Sequence, residues 1–161
     1  MSNSVFVPVH RLPASLDEVQ QAVGRAFKGF GLAPPEVQLH EPTSPPKALA
    51  DSIVTLRGNG LHEHCWVSFG EYPTELTGAD AATHMGDVTT RGSWLFAAVV
   101  VMALFEFGGS TAFNDSGELD GRPEYDAEAL WRVIDAGLIA GNQYLARWCA
   151  ASESRSAIGR P

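Results

Sequence analysis

Residues 93–109 read SWLFAAVVVMALFEFGG, and this run decides the fold class. From Trp94 to Phe107 it holds fourteen residues, of which Glu106 alone is charged. The central Val99-Val100-Val101 favours a strand on local propensity. A run of fourteen residues broken only by Glu106 exceeds the length of a typical strand, whereas a helix enclosed on all sides needs such a run. Ser93 supplies an N-cap and Gly108-Gly109 a stop. A bilayer-spanning helix takes about 20 apolar residues, so the expectation is a core helix. A helix that is apolar all round has to be buried by other layers of the same domain.

Working outward, Val5–Val9 reads as a first strand. Ser15 with Glu18 forms a capping box, and Leu16, Val19, Val23, Ala26, Phe27 and Phe30 follow at helical spacing. Asp17 and Glu18 at its start and Arg25 and Lys28 near its end suit the helix dipole, and Gly29 and Gly31 close it. Five prolines in residues 34–51 leave room only for a short edge strand, Val37–His40. Ser52–Arg57 and Leu61–Phe69 are strand-like runs joined by Gly58-Asn59-Gly60. In the second run Leu61, Cys65 and Phe69 share one face, and His62, His64, Trp66 and Ser68 share the other. Residues 71–91 hold Pro73, Gly78, Asp80, His84, Gly86 and Asp87 and read as a long loop, either functional or hiding a short helix.

Thr111–Phe113 fits a short strand before the turn Asn114-Asp115-Ser116-Gly117. A last helix starts near Asp126 with a stripe of Leu130, Val133, Ile134, Gly137, Leu138, Gly141, Tyr144, Leu145 and Trp148. Gly137 and Gly141 on that stripe point to a close crossing, because each weakens the helix by about 1 kcal/mol relative to Ala. One α+β domain is expected over residues 1–150, with a polar, frayed tail over 151–161. Its sheet should be antiparallel or mixed with helices on one face, in a ferredoxin-like layout carrying two long loops.

The 161 residues are 45% hydrophobic and 19% charged, which fits a globular domain and argues against disorder. A net charge of −8 disfavours nucleic acid and anionic membranes as partners. Cys65 and Cys149 stand far apart with no CxxC spacing, the usage of a reducing cytosol. The opening MSNSVFVPVHRLP lacks the basic start and apolar stretch of a secretory signal, so a cytoplasmic location is expected. No GxSxG elbow is present, and no glycine-rich phosphate loop leads into a helix. These absences favour a protein that is not an enzyme and carries no cofactor.

Two groups of side chains invite a functional reading. His62 and His64, two apart on a strand, would point the same way and could grip a metal ion with His84, Asp80 or Asp87 as a further ligand. That would make a small metal-dependent hydrolase, although solvent-facing strand histidines are the plainer reading. The other group is acidic. From Glu106 to Asp135 eight carboxylates face only Arg122 and Arg132. The helix dipole accounts for Glu124, Asp126 and Glu128, but not for Asp115, Glu118 and Asp120. The spacing of those three does not fit a calcium loop. An acidic segment beside exposed aromatics makes a protein-binding surface, because acids steer a basic partner and aromatics anchor it. The expected surface comprises Asp115, Glu118, Asp120, Glu124, Tyr125 and Trp66. A Trp66 face completing a homodimer is a further possibility.

Residues 94–117, WLFAAVVVMALFEFGGSTAFNDSG, set in a small, acidic, cysteine-poor chain, resemble bacterial immunity proteins. Those proteins neutralise a cognate toxin delivered by type VI or contact-dependent secretion. The resemblance implies an α+β inhibitor that occludes a toxin without catalysis, acting in the cytosol.

Overall fold

The computed structural model describes residues 4–41, 48–73, 75, 82–115 and 117–141. Strand β1 (Ser4–Val9) turns Val5, Val7 and Val9 to one face, where all three are fully buried. Helix α1 (Leu16–Gly29) follows, its amide at Glu18 donating to Ser15 Oγ at 3.2 Å while Glu18 reaches back to the Ala14 amide at 2.6 Å. A meander comes next: β2 (Glu36–Leu39), β3 (Ile53–Arg57), β4 (His64–Glu71) and β5 (His84–Thr89). Helix α2 (Trp94–Leu104), β6 (Ala112–Asn114) and β7 (Glu124–Tyr125) complete the sheet, and residues 127–141 are helical (α3).

All seven strands form one antiparallel sheet in the order β2-β3-β4-β5-β1-β6-β7. The α+β class and the antiparallel sheet agree with the sequence reading. The seven-stranded order does not by itself assign the ferredoxin-like layout. Strand β5 occupies part of the segment read as a loop, and it lies between β4 and β1. Gly86 in it answers a packing need: a Cβ there would come within 2.8 Å of Leu104 Cδ1 on α2. The β3–β4 connection is also longer than expected. Gly58 N donates to Glu63 O at 2.7 Å, so β4 starts at His64 and Leu61 stands 87% exposed instead of facing the core.

Helix α2 is the centre of the core, with Phe96–Val101, Ala103 and Leu104 all buried. Ser93 caps it, accepting from Phe96 N at 3.2 Å, and Gly108 at φ 93° ends the 3-10 turn Phe105–Phe107 that follows. The helix packs against β1, β4, β5 and α1. Leu130 and Ile134 of α3 join the same cluster, and Gly137 lets α3 approach, since a Cβ there would lie 2.8 Å from Leu95 Cδ1. Among the described residues nothing lies within 4 Å of a Cβ built at Gly141, so the close crossing they show is at Gly137. Tyr144, Leu145, Trp148, Cys149, the tail 151–161, Gly78 and Asp80 lie outside the described residues.

The sheet therefore has two unlike faces. Val54, Leu56, Cys65, Val67, Phe69 and Val88 look toward the helices and are buried. On the reverse face the register sets Ile53, Ser68, Asp87, Phe6, Phe113 and Glu124 in one row. Thr55, Trp66, Thr89 and Ser4 form the adjacent row.

Candidate functional site

The acidic segment folds around Asn114. This residue is 5% exposed, and its Nδ2 donates to the carbonyls of Glu118 at 2.7 Å and Arg122 at 3.0 Å, tying both to the end of β6. Gly117 and Gly121 take left-handed backbone angles there, and so does Leu119 at φ 62°. For a γ-branched side chain that conformation is uncommon and is held by its surroundings. Leu119 packs against the core from the loop.

Asp120 accepts from the Tyr125 hydroxyl, from Arg122 N at 3.3 Å, and pairs with Arg122 Nε at 3.2 Å. The Tyr125 hydroxyl, foremost, holds the Asp120 carboxyl below its ordinary range, with the Arg122 amide and guanidinium adding to it. Burial, and then the Asp120 carboxylate, push the Tyr125 phenol up. Asp126 caps α3, accepting from Ala129 N at 2.7 Å.

Between this loop, α3 and the start of α2 lies a cleft of about 730 Å³. Trp94, Leu95, Leu119 and Val133 supply its apolar lining. Glu118, Asp120, Asp126 and Glu128 line it with acid, against Arg122 and Arg132. Both arginines are engaged, Arg122 by Asp120 and Arg132 by Glu128 at 2.5 Å. The cleft thus keeps a net negative charge around an apolar floor, a combination suited to a basic side chain with an aliphatic stem.

The six residues expected to form one surface divide among several places. Glu118 and Asp120 line the cleft. Asp115 is exposed in the turn after β6, and Glu124 is exposed on the reverse face of the sheet. Tyr125 is not an exposed anchor: it is 1% exposed, because its place on β7 opposite Ala112 turns it into the core. Trp66 is on the reverse face and does not line the cleft.

The histidines do not converge either. His62 is in the β3–β4 turn, where its carbonyl accepts from Ser93 N at 2.7 Å. His64 begins β4 on the reverse face, edge-on to Trp66 at 5.5 Å. His84 pairs with Glu71 at the far end of β4, roughly 24 Å along the strand from His64 and on the helix-facing side. Its Nε2 lies 3.6 Å from Glu71 Oε1. Among the described residues no three His, Cys, Asp or Glu side chains are grouped to hold a metal ion.

Sequence reasoning missed Trp94, Leu119 and Arg132 as cleft residues. Trp94 and Arg132 sit in elements it did place, so helix faces could have revealed them; the left-handed Leu119 carried no sequence signal. Comparison of the chain with protein-family models, with curated proteins and with solved structures returns no match. No helix among the described residues is long and apolar enough to cross a membrane.

Proposed function

We propose that this chain is a non-catalytic inhibitor, an immunity protein that takes a basic segment of a cognate toxin into the acidic cleft beside α3. The cleft itself carries the reading: carboxylates surround an apolar floor, and the two arginines among them are already paired. Carboxylates there speed encounter with a basic partner, while Trp94 and Leu119 offer the desolvated contacts that hold it. Inhibition needs no nucleophile, only occupancy of the toxin's working surface. A cytosolic setting fits the free, buried Cys65.

The test is association kinetics with the partner captured by the untagged protein and identified by mass spectrometry. Charge reversal at Glu118 and Glu128 should slow association by about tenfold or more at low salt, with circular dichroism unchanged. Asp120 is left intact, because it supports Tyr125. An unchanged association rate would exclude the cleft as the docking site.

A further inference from the structure

The reverse face of the sheet holds a second cleft, of about 450 Å³, on the opposite side from the helices. Its lining combines Trp66 and Ile53 with two opposite charges, Asp87 and Arg91, and with Thr89 and His40. Asp87 is half-buried, and its carboxylate is held by hydroxyls: Thr89 Oγ1 donates at 3.2 Å, Ser4 also bonds it, and Ser4 Oγ lies 3.1 Å from Thr89 Oγ1. Burial keeps its carboxyl above the ordinary range despite those bonds. The Arg91 guanidinium is exposed and makes no ion pair among the described residues. A fixed anion and a cation thus share one cleft without satisfying each other. Trp66 stands opposite Thr89, midway between them along the chain.

We propose that this cleft binds a short zwitterionic peptide, its ammonium on Asp87, its carboxylate on Arg91 and an apolar side chain against Trp66. The span fits. Residues 87 and 91 are four apart, at most about 14 Å in an extended chain. Both charges line the same cleft, and a di- or tripeptide at about 3.5 Å per residue spans a distance within that limit. A cleft of mixed lining with a few convergent polar groups is the usual form of a small-ligand site. His40, whose Nδ1 lies 3.5 Å from Thr55 Oγ1, flanks Ile53, donating its backbone N–H to the Ile53 carbonyl at 2.7 Å. The inference is independent of the acidic cleft and shares no residue with it.

Calorimetric titration with Ala-Phe and Ala-Ala-Phe tests it, alongside their N-acetylated and C-amidated forms. At least one free peptide should bind, and each cap should weaken that binding by about tenfold or more. Asp87→Asn should abolish discrimination against the N-acetyl form while keeping discrimination against the amide; Arg91→Ala should do the reverse. No binding of either free peptide at about 10 mM, a concentration that reveals even millimolar affinity, would overturn the proposal. So would capped peptides that bind as well as free ones, a result that wild-type protein alone can deliver. Loss of toxin binding in the Glu118 and Glu128 variants would leave these titrations untouched.

Discussion

Asp87 ionises at about 3.9 in an unfolded chain, whereas burial raises that value in the folded protein against the lowering effect of the Ser4 and Thr89 hydroxyls. Between the two values the native state holds more protons than the unfolded state. Stability therefore falls as pH rises through that window, and the loss is complete once Asp87 is ionised in the native state. Asp87→Asn should remove this component, so the variant gains on the wild type as pH climbs from about 3 to 8. Denaturant titrations across that range check it, and parallel curves would show an ordinary, solvated carboxylate. Asp120 has the opposite sign: its lowered value contributes stability above the ordinary carboxylate range that is lost on acidification. Side chains whose role is local were legible in the sequence, as the Ser15–Glu18 cap shows. Tyr125 was not, because its acidic neighbours Glu124 and Asp126 describe the chain around it, while a two-residue strand decides which way it faces.

Elements were legible where length or a cap spoke for them and illegible where a neighbour decided. Helix α2 overrode the strand propensity of Val99–Val101 because its 11 residues, all apolar, need enclosure on every side. Strand β5 reads HMGDVT, a poor strand on propensity, and is one because β4 and β1 bond it on both edges. Glycine misled for the same reason: Gly86 marks the approach of Leu104, not a turn. Gly92 makes the point testable. A Cβ there would run into the carbonyl oxygen of His62, the group that anchors Ser93 and so the start of α2. Backbone cannot step aside as a flexible side chain can, so Gly92→Ala should cost about 1–3 kcal/mol of unfolding free energy. Gly137→Ala meets only the flexible end of Leu95, and its helix-propensity gain of up to about 1 kcal/mol should largely offset the repacking. Equal losses in the two variants, measured by urea denaturation, would refute the distinction.

At the scale of the molecule, a continuous sheet shares a core with α1, α2 and α3, and Cys65 in β4 is fully buried within it. Burial also pushes its thiol far up, away from the reactive thiolate. A reagent can reach the sulfur only through an opening that parts β4 from the helices. Because β4 is bonded on both sides and α2 packs across β1, β4 and β5 together, that opening should be the unfolding of the whole domain. In a Cys149→Ser background, thiol labelling of Cys65 should therefore report a free energy and a denaturant slope equal to those of global unfolding by circular dichroism. Labelling with a smaller free energy and a shallow slope would mean that part of the meander lifts away by itself. The acidic cleft, built from α3 and the loop after β6, would then rest on a separate cooperative unit, and occupancy there would no longer protect Cys65. With one unit, any partner bound in the cleft slows labelling in proportion to its concentration, by the linkage that ties binding to unfolding.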